Sequence, residues 1–280
     1  MNPKLAVSTG RTVNNDADVE FAIDYDFEGV DWSFTIDSMP FNNKSRNEFI
    51  SQVQKLQNKG IEVRFHTPLL NVEIGHRDDN ISGKSVEIYC KTLELVKDVA
   101  GIFLTLHIGL GSISDKDICL MKVEENLKAL KQFGLDRGIT ISLENLRNGP
   151  TSYPEQWMEM LDLVDLPATF DFGHAKGCAA VAKGLWTPNE MIYHVKERLI
   201  HAHIYKEENS EGHIAPDTIH DLGIDLLDAL METSCRWWVI ELSEKRAVLH
   251  TKEMLTIYME SLNNHERHKK TQKLNLLNGY

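Results

Sequence analysis

The chain has no closely spaced cysteine pair. Cys90, Cys119, Cys178 and Cys235 stand far apart, which excludes a CxxC redox or zinc motif and a dense disulfide framework. Free thiols in a reducing compartment are expected instead. Long apolar runs are also missing. No stretch approaches the ~18 residues that a membrane span needs, and MNPKLAVSTG at the N-terminus lacks the charged start and apolar core of a secretory signal. Basic residues are in deficit. The 30 Lys and Arg against 42 Asp and Glu leave a formal charge of -12, which argues against a general affinity for phosphate backbones. Two glycine-containing stretches fail as phosphate loops. SGKS at 82–85 would need its earlier glycine at Asp78, and GLGS at 109–112 lacks the third glycine and the acidic partner of a dinucleotide site. The remaining expectation is a cytoplasmic globular protein, 42% hydrophobic and 26% charged.

What the chain does have is alternation. Short β-branched or apolar runs lie at 4–8, 29–34, 61–66, 102–107, 139–144, 167–171, 199–204 and 237–242. Between them fall segments of helical period at about 16–26, 45–59, 83–100, 117–137, 153–164, 188–197, 221–234 and 249–262. In 117–137, Ile118, Met121, Leu127, Leu130 and Phe133 share one face, while Lys122, Glu124, Glu125 and Lys128 take the other. Eight strand–helix units without a composition break predict a single (β/α)8 TIM barrel over residues 1–262, with an open doubly wound sheet as the alternative. The basic, Asn-rich segment 263–280 is expected to form a loose tail or a last helical turn packed outside the barrel.

A second pattern sits at the strand ends. The third to sixth strands finish on His66, His107, Glu144 and Asp171. His203 and Glu241 lie near the ends of the seventh and eighth, and His174 and His213 fall just past strand ends. In a parallel barrel these ends share one face, the one that carries active sites. A single histidine at such a place is usually a hydrogen-bonded structural residue. Six or more acids and imidazoles converging there predict a bound divalent ion, because packed carboxylates without a cation repel and are costly to desolvate. Imidazole mixed with carboxylate, and no thiolate, suits Zn²⁺, Mn²⁺, Fe²⁺ or Co²⁺. His201, one layer deeper on the same face as His203, is expected to support the ligands rather than join them. The segment 175–190 is expected to cover the mouth of the barrel.

HTPLLN at 66–71, LHIGLG at 106–111, SLEN at 142–145, DFGHA at 171–175, HAHIY at 201–205, EGHIAP at 211–216 and VIEL at 239–242 occur in an order and at intervals that resemble one family. This is the xylose isomerase-like barrel superfamily, which holds sugar-phosphate isomerases and epimerases together with endonuclease IV. The resemblance covers about residues 4–262 and implies a metal on Glu144, Asp171, His203 and Glu241. Its ketose epimerase branch implies that Glu144 and Glu241 act as acid and base at a carbon next to a carbonyl, through an enediolate. It implies His174 on substrate oxygens, and Lys206 stands where those enzymes place an arginine. The endonuclease IV branch implies up to three ions on His66, His107, Glu144, Asp171, His174, His203, Glu211, His213 and Glu241, with Glu211 where that branch has an aspartate. Against that branch, the loop after His66 reads Thr-Pro-Leu-Leu where the nuclease carries an aromatic side chain that helps to open the duplex. Segments 8–15 and 31–43 also show little basic or aromatic interleaving. The expectation is a divalent-metal-dependent isomerase or epimerase of a small sugar or sugar phosphate, using one to three ions. A multi-metal phosphoesterase of endonuclease IV type is the alternative. Neither a membrane nor a nucleic acid is an expected partner, and assembly into a homo-oligomer stays open.

Overall fold

Alternate side chains of a strand point to opposite faces, so each strand of a closed barrel sends one residue inward and the next outward to the helices. That alternation governs where the dry core and the polar interior of this molecule lie. The computed structural model describes residues 2–9, 16–37, 39–68, 72–108, 115–210 and 212–277, with 263–277 as backbone. The elements run β1 (Lys4–Ser8), α1 (Asp16–Asp24), β2 (Gly29–Ser33), α2 (Asn43–Asn58), β3 (Glu62–His66), α3 (Asp79–Asp98), β4 (Phe103–Leu106), α4 (Leu120–Leu135), β5 (Thr140–Glu144) and α5 (Pro154–Val164). They continue with β6 (Ala168–Asp171), α6 (Phe172–Gly177), α7 (Ala179–Ala182), α8 (Pro188–Val195), β7 (Leu199–Ile204), β8 (Glu207–Asn209), β9 (Gly212–Ile214), α9 (Ile219–Leu222), α10 (Ile224–Met231), β10 (Trp237–Ile240) and α11 (Lys245–Leu277).

Strands β1 to β7 and β10 close into a parallel barrel in the order β1-β10-β7-β6-β5-β4-β3-β2, which rules out the open doubly wound sheet. Four details depart from the expected pattern. β8 and β9 pair as an antiparallel hairpin inserted after β7. The helix expected at 221–234 is split at Gly223, whose φ of 86° is not helical. His107 and Glu241 sit one residue beyond the paired parts of β4 and β10. α11 continues through residue 262 to Leu277. GLGS at 109–112 lies outside the described residues, and SGKS at 82–85 lies within α3, where the Ser85 hydroxyl donates to the Ile81 carbonyl at 2.9 Å. No helix among the described residues is long and apolar enough to cross a membrane.

Outward residues such as Phe65, Leu104, Leu143, Phe170, Ala202 and Trp238 join Leu93, Leu127, Trp157, Leu227 and Leu255 of the helices in one apolar core. Trp237 faces the other way and forms a separate cluster inside the barrel with Ala6 and Val239. The Arg64 guanidinium stacks on this floor, 4.4 Å from the Trp237 ring and 4.0 Å from that of Phe103. Above it lies a layer of hydroxyls, Thr105, Ser142 and Thr169, linked to one another at 2.8–3.2 Å. The barrel is therefore plugged at its N-terminal end and increasingly polar toward its C-terminal end.

Gly29 is needed by the floor. A Cβ there would lie 2.2 Å from the Trp237 ring, so the indole occupies the space of a missing side chain. Gly29→Ala should destabilise the fold by about 1–3 kcal/mol through overpacking. Urea unfolding checks this, and an unchanged midpoint would show that Trp237 can move aside.

Candidate metal centre

The segment TFDFGHA turns from strand into helix at the mouth of the barrel. Asp171 ends β6 and caps α6, its Oδ1 accepting the His174 backbone N–H at 2.7 Å. The same oxygen accepts the Tyr205 hydroxyl at 2.7 Å. Gly173 makes room for that tyrosine, since a Cβ would lie 2.0 Å from its ring. Asn145 ties the ends of β5 and β6 together. Its amide donates to the Asp171 carbonyl at 3.0 Å and its Oδ1 accepts from the Asp171 N–H at 2.8 Å. Backbone geometry thus fixes the direction of Asp171 and His174 before any ligand is considered.

Glu144, 1% exposed, is the hub. Its Oε2 lies 3.0 Å from His66 Nε2 and 3.6 Å from His107 Nε2, and its Oε1 lies 3.1 Å from His203 Nδ1 and 3.5 Å from His174 Nδ1. His203 Nδ1 also lies 3.0 Å from Glu241 Oε2 and 3.4 Å from Asp171 Oδ2. Ligand atoms of Glu144, Asp171, His203 and Glu241 all fall within 4.8 Å of one another, and so do those of His66, His107 and Glu144. A third group of the same kind joins His174 and His213 to Glu208 of the hairpin. The His213 ring also faces its surroundings closely, stacking on Tyr205 at 4.1 Å with Nδ1 2.9 Å from the Glu241 carbonyl.

Burial opposes charge on all these groups, and their neighbours decide the outcome. Burial would lower the His203 pKa, but Glu144, Glu241 and Asp171 outweigh it and hold the imidazole well above its ordinary value. His174 is raised in the same way by Asp171, Glu144 and Glu208. Burial would raise the Glu144 carboxyl, yet His203, His174 and His66 hold it well below the usual range. Glu241 is likewise depressed, by His203 and His213. His107 is pushed well down by burial, aided by the charge of His66.

The donor set suits a divalent ion. It is buried, mixes imidazole nitrogen with carboxylate oxygen, and leaves Asp171 Oδ2, which faces the cluster, without a hydrogen bond among the described residues. The ion pairs of Glu144 and Asp171 among those residues are with histidines, not with Lys or Arg. His66, His107, Glu144, Asp171, His174, His203, His213 and Glu241 all reach one region. Lys206 points its ammonium toward Asp221, 3.5 Å away. Glu211 lies outside the described residues. The sequence pattern did not single out Asp31, Asn145, Tyr205 or Glu208. An acid at an inward position of β2 was a readable signal for Asp31, whereas the place of Glu208 depends on a hairpin register that composition does not reveal.

Residues 19–237 match the family model described as xylose isomerase-like TIM barrel. An uncharacterised protein of Methanocaldococcus jannaschii is 26% identical over 220 residues, covering 79% of this chain and 90% of that protein. A D-tagatose 3-epimerase-like protein shares the fold with a TM-score of 0.71 at 19% identity, over 94% of this chain and 99% of that one. Endonuclease IV from Thermus thermophilus superimposes with a TM-score of 0.65 at 14% identity, over 92% of this chain and all (100%) of that one. Closed parallel topology, a buried acid–imidazole cluster at the mouth and the family match agree, and the chain belongs to the xylose isomerase-like TIM barrel family.

Proposed function

We propose that the protein is a divalent-metal-dependent isomerase or epimerase of a small sugar or sugar phosphate, working in the cytoplasm. The observation that carries this reading is the buried group Glu144, Asp171, His203 and Glu241 at the open end of the barrel. These four residues would hold the ion, which when bound supplies Lewis acidity toward a carbonyl and stabilises negative charge on its oxygen. Glu144 and Glu241 flank His203 Nδ1 at 3.1 and 3.0 Å. One glutamate, as carboxylate, takes the proton from the carbon beside the carbonyl, giving an enediolate. The other, entering the step as the carboxylic acid after taking a proton from solvent, donates that proton to the carbon; the first then releases its proton to solvent. The balance is one C–H bond broken and one formed, with no net redox change. His174 and Lys206 would contact substrate oxygens from the rim. The barrel's likeness to sugar epimerases supports the substrate class.

A multi-metal phosphoesterase is the second reading. The groups His66–His107–Glu144 and His174–Glu208–His213 favour it, because they offer places for two further ions. One assay separates the two. Glu241→Gln should lower turnover on a sugar panel, and deuterium uptake from D₂O into the sugar, by at least about 10²-fold, while the wild type leaves an abasic-site duplex intact. Cleavage of the duplex, or full activity of the variant, contradicts the first reading.

In the ion-free protein the charged imidazoles take the place of the cation. A histidine raised on folding stabilises the fold below its ordinary value of 6.5 and loses that contribution as pH rises through the raised value. The depressed carboxyls of Glu144 and Glu241 stabilise above 4.5 and lose it as pH falls through their lowered values. With a chelator present, Tm should therefore fall as pH rises through the alkaline range. Added Zn²⁺ should remove that fall and release protons on binding, because the ion replaces the proton on His203. Thermal unfolding with and without chelator, together with pH-stat titration, checks this. Identical curves and no proton release would contradict metal binding at this cluster.

A further inference from the structure

Beneath the cluster lie two buried polar residues that the proposed reaction does not use, next to a third, His203, that it does. Asp31 on β2 and His201 on β7 are each 1% exposed, and His203 is fully buried. His201 Nε2 lies 3.4 Å from Asp31 Oδ1, and a ring nitrogen of His203 falls within 4.8 Å of both residues' polar atoms. Asp31 Oδ1, His201 Nε2 and His203 Nε2 make no hydrogen bond among the described residues. Three unsatisfied polar atoms facing one small space, in a protein interior, call for a shared function.

His203 supplies it. Its Nδ1 is occupied by the carboxylates of Glu144, Glu241 and Asp171 at 3.0–3.4 Å. If Nδ1 gives its lone pair to an ion, the neutral ring must carry its proton on Nε2, on the side away from those carboxylates. A buried N–H needs an acceptor, and the unsatisfied Asp31 oxygen is the carboxylate available on that side. We propose that Asp31 is a positioning residue. It accepts the His203 Nε2–H, directly or through one buried water, and so holds the ring in the tautomer that turns Nδ1 toward the ion. His201 steadies the same carboxylate. Its Nδ1, 3.5 Å from the Thr105 hydroxyl, can accept from that layer while its Nε2–H faces Asp31. A second cation in this space is disfavoured by two facts. Arg64 already acts on Asp31 and His201 from the barrel floor, and His203 would have to bridge two ions. Ligating histidines commonly donate their other N–H to a carboxylate, and loss of such a partner weakens metal binding by about 10–100-fold.

This inference rests on the metal-binding reading above, and the test separates the two. Zn²⁺ affinity is measured by chelator competition on the full chain, wild type, Asp31→Asn and Asp31→Ala. Long-range ¹H–¹⁵N spectra of the imidazoles are recorded on the loaded protein. The expected result is about 10–100-fold weaker binding for Asp31→Ala. Asp31→Asn, which keeps an acceptor oxygen, should fall between it and the wild type. The His203 Nε2–H proton, downfield in the wild type, should move upfield in Asp31→Asn, a change that a purely structural role would not produce. Should Asp31→Ala fail to fold, Asp31→Asn decides alone. Wild-type affinity in Asp31→Asn with an unmoved Nε2–H resonance, or a second Zn²⁺ bound between Asp31 and His201, overturns the inference and leaves the metal reading standing. A wild type that takes up no Zn²⁺ overturns both.

Discussion

A carboxylate sealed inside a barrel, with four histidines at 3.0–3.6 Å, is the constraint on which the rest of this structure depends. Glu144 is almost wholly removed from water, and an isolated buried carboxylate would be too costly to keep charged. The chain meets that demand by drawing its compensating groups from β3, the ends of β4 and β6, and β7. Only closed parallel topology brings those four places to one side of one carboxylate. Breaking the group by removing one partner would leave the others buried and uncompensated, so the cluster bears on folding as well as being a candidate site for chemistry.

The remaining parts follow as supports. Trp237, Ala6 and Val239 with Arg64 close the barrel floor, so the hydroxyls and ionisable groups above are reached only from the C-terminal end. Asn145 locks the β5 and β6 ends, and the Asp171 cap with Tyr205 fixes the start of α6. The β8–β9 hairpin folds over the mouth and brings His213 and Glu208 toward His174. Each support uses a different physical device, namely stacking on apolar rings, paired amide hydrogen bonds, a helix cap and a hairpin. All act on the direction in which a side chain of the cluster points.

Much of this was legible in the chain. Eight short runs at near-regular spacing specified the barrel, because period-2 and period-3.6 patterns survive in short windows. Polar residues in the last position of otherwise apolar runs, such as Glu144 in ITISLE, marked the buried cluster because inward positions of a strand need a reason to be charged. Other parts were hidden for physical reasons. Glu207, Glu208 and Glu211 cannot be ranked without the hairpin register, which depends on pairing rather than composition. Asp31 was placed in a strand, but its relation to His201 crosses from β2 to β7 through the barrel interior, a proximity that no local pattern carries. Lys206 follows the strand that holds His203, and its contact with Asp221 on α9 is likewise a matter of tertiary packing that the chain does not spell out.

Anomalous diffraction from crystals grown with Mn²⁺ or Zn²⁺ tests the central claim most directly. The account predicts a strong peak enclosed by Glu144, Asp171, His203 and Glu241, with His203 engaged through Nδ1. No peak there, with the carboxylates held only by protonated histidines at saturating metal, would contradict it.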